Sequence, residues 1–293
     1  MNTIHEYMQE LKTLLANSDP ATSQDALADA EEYLSNAIVA IREKAGTQSE
    51  ADALQIAIEQ YGTPQEIAAA YVEAEHRLFP LQARPNIKKS RSFLGRFFGV
   101  YADSHTWGSL LYILISLATG VIYFTWSVAG VSFSVTFLIF IFGLFFLLFF
   151  LYSLRGIALL EGRIVEALLG ERMPHRPLFT PHGMNWKQQL GMLLKDKHSW
   201  FTLIYTVLQM PLAVLSFSVV LVLIVAALCA FAVPILQFFI PVINDGTRGF
   251  FLPLWSLPLI MLGSVLLLTA TLHLARGIGN LHGKWAKLLL VVD

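Results

Sequence analysis

Three intervals of this chain carry no Asp, Glu, Lys, Arg or His: Trp107 to Leu154, Trp200 to Asn244, and Gly249 to Leu272. At about 20 apolar residues per crossing, the first interval holds two transmembrane helices and the other two admit two or three more. The small-residue stretch Ala129-Gly-Val-Ser132 is the expected break in the first interval, and Asn244-Asp245-Gly246 is the turn between the other two. The pattern alone allows four or five crossings.

A repeated header decides for four. Asp103-Ser-His-Thr-Trp107 and Asp196-Lys-His-Ser-Trp200 each precede an apolar run, and the same offset of 93 pairs Leu110 with Leu203 and Tyr112 with Tyr205. At the far ends Leu154-Arg-Gly-Ile157 matches Ala275-Arg-Gly-Ile278, at an offset of 121, and Leu160, Gly162 and Arg163 match Leu281, Gly283 and Lys284. Each unit reads header, helix, loop, helix, Arg-Gly-Ile and a short amphipathic tail, with about 28 extra residues in the middle of the second. The predicted helices are about 107–128, 132–154, 200–231 and 252–274, as two hairpins. Trp186 to Lys195 reads as a further, interfacial amphipathic piece.

The first 80 residues follow a different pattern. Apolar positions at helical spacing (Ile4, Tyr7, Leu11, Leu14; Leu27, Ala30, Leu34, Ala37, Ile41; Leu54, Ile58, Tyr61) predict three or four short helices around a modest core. Thr63-Pro-Gln-Glu66 is a capping box with proline at the first helical position, and Gly62 ends the helix before it.

Composition agrees: 55% hydrophobic and 14% charged residues, with a mean hydropathy of +0.59, are too apolar for an ordinary soluble domain. Charge divides the chain. Residues 1–80 hold four basic and fourteen acidic side chains, whereas the remainder holds sixteen and seven. The expected fold is all-α: an acidic helical domain at 1–80, a basic amphipathic linker at 81–103, and a four-helix transmembrane domain of two parallel hairpin repeats at 104–293. Cations gather before the first helix, between the second and third, and after the last, so both termini are expected in the cytoplasm. The polar, acidic beginning predicts no signal peptide, and the lone Cys229 supports no disulfide framework.

Candidate chemistry is sparse. In each header the Asp and Ser/Thr can cap a helix start, and Trp107 and Trp200 can anchor at headgroup level beside His105 and His198. The alternative is that the two histidines share a metal or a proton. His175 and His182 match no metal spacing, Gly277-Ile-Gly279 lacks a dinucleotide context, and no nucleophile, zincin or phosphate-loop motif occurs. No catalytic residue, cofactor or metal site is expected. Pro211, beside Gln209, should kink the third helix. With Phe238 and Phe250 of the apolar insertion, these are the candidates for sensing a lipid-like input. The basic, Phe-rich stretch Arg84 to Phe98 suits an interfacial helix on anionic headgroups or simple retention of cations inside. The adjoining acidic domain argues against direct nucleic-acid binding. Its Glu31, Glu32, Glu59 and Glu66 are candidates for a partner face.

Glu6-Tyr-Met-x-x-Leu11, Glu31-Glu-Tyr33 and Ala57-Ile-Glu-Gln-Tyr-Gly-Thr-Pro-Gln-Glu-Ile-Ala-Ala-Ala-Tyr71 resemble the HAAS signalling domain, with Thr63 where an acidic turn residue is usual. Trp107-x-x-Leu-Leu-Tyr112 through the Leu154-Arg-Gly-Ile157 exit is similar to a sensor domain of bacterial signalling proteins. The resemblance implies a bacterial inner-membrane protein whose acidic domain signals to a cytoplasmic regulator, typically a PadR-like transcription factor. The competing expectation is an accessory or scaffold subunit of a membrane export complex. A homo-oligomer is compatible with either.

Overall fold

The computed structural model describes residues 3–45, 49–78, 95, 97–137, 141–177, 185–239, 243–244 and 249–291. The N-terminal block consists of α1 (Ile4–Leu14), α2 (Pro20–Ala45), α3 (Glu50–Tyr61) and α4 (Pro64–Leu78). A 3-10 turn (Phe98–Ala102) leads into α5 (Ser104–Phe137), followed by α6 (Ile141–Leu169), α7 (Trp186–Lys195), α8 (Lys197–Leu236) and α9 (Ser256–Leu290). Among the described residues the only strands are β1 (Ile243–Asn244) and β2 (Gly249–Phe250), paired antiparallel with Ile243 opposite Phe250. The class is all-α.

Four helices, α5, α6, α8 and α9, are long and apolar enough to cross a membrane. At about 1.5 Å per residue the 40 residues of α8 reach roughly 60 Å, twice the hydrocarbon thickness of about 30 Å. The helices therefore overrun the ends expected from charge alone, and α6 and α9 continue through their Arg-Gly-Ile exits to Leu169 and Leu290.

The break expected at Ala129-Gly-Val-Ser132 is absent: α5 runs through it to Phe137. Gly130 is a packing residue rather than a turn residue. A Cβ there would stand 2.1 Å from the Phe150 ring, so the missing side chain is what lets that ring lie against the α5 backbone. Pro211 and Pro234 both lie inside α8, which continues past each of them. Neither offers an N–H to the carbonyl one turn back, on Val207 and Ala230.

The chain forms two compact units, one of residues 1–87, 125–207 and 284–293, the other of 88–124 and 208–283. In the first, Tyr7, Leu11, Leu15, Ala30, Leu34, Leu54 and Ala57 bury the facing stripes of α1 to α3. The capping box of α4 is in place, with Glu66 N–H donating to Thr63 Oγ1 (3.3 Å) and Thr63 N–H to Glu66 Oε2 (2.8 Å). Hydrogen bonding from Thr63, its backbone N–H above all, holds the Glu66 carboxyl below the usual range. Gly62, at φ +119°, makes the preceding corner, and its carbonyl accepts the Tyr7 hydroxyl at 2.9 Å. A second core joins Phe150, Leu151 and Leu154 of α6 to Leu190 and Leu193 of α7. Here Tyr205 donates to the fully buried carboxylate of Glu161 at 2.9 Å and packs its ring on Trp285.

In the other unit Ile113, Val220 and Ala275 form the apolar centre. Gly120 brings α5 against the α8 backbone, where a Cβ would stand 3.1 Å from Met210 Cα. The 3-10 turn is tied to α9 through the Tyr101 and Thr269 hydroxyls (3.0 Å) and through His273 Nε2 and the Phe97 carbonyl (2.9 Å).

Candidate functional site

The densest polar cluster lies where the chain leaves α6. Gly170, at φ +71°, terminates that helix with its N–H on the Glu166 carbonyl (3.1 Å), the left-handed stop that glycine adopts without strain. Residues 171–177 then run without regular structure along α2, with Met173 fully buried and placed over Gly162. Prolines 174 and 177 keep this stretch from re-entering a helix.

Asp25 of α2 receives the segment. Only 4% exposed, its Oδ1 accepts the backbone N–H groups of His175 (2.7 Å) and Arg176 (2.9 Å), and its Oδ2 accepts from Arg172 at 3.3 Å. Glu166, one turn before the end of α6, lies 3.6 Å from the Arg172 guanidinium and 2.6 Å from His175 Nε2. Arg176 reaches onward to Asp29 (2.8 Å) and, more loosely, Glu32 (3.9 Å), while the Tyr71 hydroxyl donates to the other oxygen of Asp29. Lys287, near the end of α9, pairs with Asp19 at the start of α2 (2.5 Å). Four acids of the N-terminal block, Asp19, Asp25, Asp29 and Glu32, are thus met by cations from the second connection and the C-terminal tail.

Burial raises the Asp25 carboxyl above its ordinary 3.8, against the opposing pull of the two backbone N–H groups and Arg172. Between 3.8 and the raised value the folded chain keeps a proton that the unfolded chain has released, so stability falls as pH rises through that window. Thermal unfolding of the full chain in nanodiscs should show this fall, and Asp25→Asn should flatten it.

The two headers make matching bonds. Asp103 Oδ1 accepts from His105 N–H (3.3 Å), its Oδ2 from Thr106 Oγ1 (3.2 Å), and Trp107 Nε1 donates to the Tyr101 carbonyl (3.0 Å). Asp196 accepts from His198 N–H (3.1 Å) and Ser199 Oγ (3.2 Å), and Trp200 donates to the Leu194 carbonyl (2.8 Å). The ion pairs are exchanged along the chain: Arg155, at the first exit, binds Asp196 of the second header (2.9 Å), and Arg276, at the second exit, binds Asp103 of the first (3.0 Å). The tyrosines follow the same rule. Tyr205 bonds Glu161, while Tyr112 meets the edge of His282, which stands at the position matching Glu161.

Trp107 and Trp200 are each about half exposed, whereas His198 is buried and His105 half-buried. The two imidazoles belong to different units, and no group of three metal-ligating side chains gathers among the described residues. Gln209 is fully buried, with its amide on the Tyr112 hydroxyl (3.3 Å). Phe238 is 71% exposed and borders an apolar cleft of about 500 Å³ with Pro234, Leu254 and Pro258. Of Phe250 only the backbone pairing is described; its side chain, the linker residues 79–94 and 96, and His182 lie outside the described residues. Glu59 is exposed, Glu66 is engaged in its cap, Glu31 is half-buried with its carboxyl raised by burial, and Glu32 faces Arg176.

Sequence reasoning missed Asp19, Asp25, Asp29, Arg172 and Arg176. The available signal was an aspartate inside the small-residue stripe Ala21 to Ala30, opposite two arginines in a proline-rich connection.

These features define a helical, multi-pass membrane protein with a charged helical block attached. A family described as "Putative sensor" matches residues 112–290, more than half of the chain, and the chain belongs to that sensor family. No curated protein and no solved structure matches it.

Proposed function

We propose that this sensor-family protein couples a membrane input to a cytoplasmic partner bound by its N-terminal block. The observation that carries this reading is the Asp25 cluster. A carboxylate of the block holds the backbone of the segment that leaves membrane helix α6, so a shift or rotation of that helix pulls directly on α2. Both termini and the 170–185 connection lie in the cytoplasm on this reading, which the distribution of cations supports. The membrane is a bacterial inner membrane, and the partner is a PadR-like transcription regulator, as the resemblance of residues 6–71 to HAAS domains implies. The two hairpins are read as parallel repeats, supported by the matching header bonds. The input class is a lipid or amphipath acting at the proline-interrupted α8, between Gln209 with Pro211 and the cleft beside Phe238.

The test is cross-linking of the full chain in its native membrane, together with transcript profiling of a deletion strain. Recovery of a DNA-binding regulator, with its target genes changed on deletion, is expected. Recovery of integral transport subunits alone, with transcription unchanged, would replace the sensor reading by the scaffold one.

A further inference from the structure

The N-terminal block carries an open groove of about 880 Å³ between α2, α3 and α4. Its floor is apolar, with Ala37, Ala40 and Ile41 of α2 facing Ile67 of α4. Stacked rings of Tyr33 and Tyr61, 4.7 Å between centroids, form one wall. Burial, then the charge of Asp29, pushes the Tyr61 hydroxyl up to about 12, so it stays a neutral hydrogen-bonding group. Asp29 and Glu32 supply an acidic rim.

That rim is already occupied from within. Arg176, 53% exposed, places its guanidinium on Asp29 and toward Glu32, while its backbone is held separately by Asp25. The side chain can therefore swing away without releasing the segment. A groove with an apolar floor, an aromatic wall and an acid pair that accepts a guanidinium fits an amphipathic helix, read at about four anchor positions (i, i+3, i+4, i+7) with a basic residue beside the stripe.

We propose that this groove docks an amphipathic helix of the cytoplasmic partner, whose Arg or Lys displaces Arg176 from Asp29 and Glu32. The proposal rests on the reading that the N-terminal block binds a partner, and it adds where and by what chemistry. Arg176 is then an internal competitor: while it holds the rim, only the fraction of molecules with Arg176 displaced is competent to bind. An acidic or purely apolar helix would leave the aspartate–glutamate pair without a cation and is rejected by it.

The test uses the full chain in zwitterionic nanodiscs and a displayed library of helical peptides, with empty nanodiscs as the counter-selection. The selected peptides should share one Arg or Lys flanking an i, i+3/i+4, i+7 apolar stripe. Ala40→Trp, which fills the floor, should weaken them by about tenfold or more. Arg176→Ala should tighten them by about three- to tenfold through loss of the competitor. Peptides without a basic residue, binding indifferent to Ala40→Trp, or binding weakened by Arg176→Ala would each overturn the assignment. If native-membrane cross-linking recovers a regulator whose capture Ala40→Trp leaves intact, the groove is refuted while the partner reading stands.

Discussion

Asp25→Ala is expected to free the 171–177 segment and to destabilise the chain by about 3–5 kcal/mol, the range for breaking one side of a buried charged cluster. The substitution deletes the acceptor of two backbone N–H groups and the carboxylate facing Arg172, all in a site where Asp25 is 4% exposed. Asp25→Asn keeps an oxygen for the two N–H groups but turns an amide donor toward the Arg172 guanidinium in place of an acceptor, so a smaller loss of about 1–2 kcal/mol is expected. Hydrogen exchange of the full chain in nanodiscs checks the prediction site by site. Amides of His175 and Arg176 should lose protection in the alanine variant far more than those of α1, whose Tyr7 and Leu11 sit in a separate core. Equal exchange in wild type and Asp25→Ala would show that the cluster does not hold the segment. The same measurement bears on coupling, because a membrane helix can move α2 only through a connection that stays attached.

Gly130→Val should be strongly destabilising. Even an alanine Cβ would stand 2.1 Å from Phe150, a ring only 2% exposed and wedged in the α6–α7 core, so Gly130→Ala already requires the ring to move, at a cost of about 1–3 kcal/mol. Valine adds two methyl groups to the same space. Phe150→Leu should recover part of the loss in Gly130→Ala, and a double-mutant cycle in detergent unfolding would give the coupling between the two positions. Gly156→Ala and Gly277→Ala are the controls: nothing lies within 4 Å of their Cβ positions, and both should be neutral or slightly stabilising. If Gly130→Ala unfolds like Gly156→Ala, the close contact between α5 and the ring is wrong.

Much of the fold was legible because each solvent leaves its own pattern. Uncharged intervals together with the repeated header marked the four apolar helices, the period of Tyr7, Leu11 and Leu34 marked the N-terminal core, and Thr63 with Glu66 marked a cap that forms as written. The amphipathic piece at Trp186 to Lys195 has the bounds its sequence suggested. The turn at Gly130 failed for a specific reason. A small residue signals either a bend or a close approach, and only the partner ring, twenty residues on, decides which. The Asp25 cluster was hidden for a related reason. Composition counted its acids as solvated surface, while the cations that meet them are about 150 residues away in the chain and are brought in by a glycine stop and two prolines. Of the four glutamates read as a partner face, Glu32 alone lines the groove, beside an Asp29 that periodicity gave no reason to choose.

The crossed ion pairs carry one more implication. When Arg155 binds Asp196 and Arg276 binds Asp103, each hairpin supplies the lock for the other's key, which is the contact rule of an isologous dimer written into one polypeptide. A single hairpin bearing both an aspartate threshold and an arginine exit would be self-complementary. Two halves of this chain, produced as separate polypeptides, should therefore find each other by the same pairs.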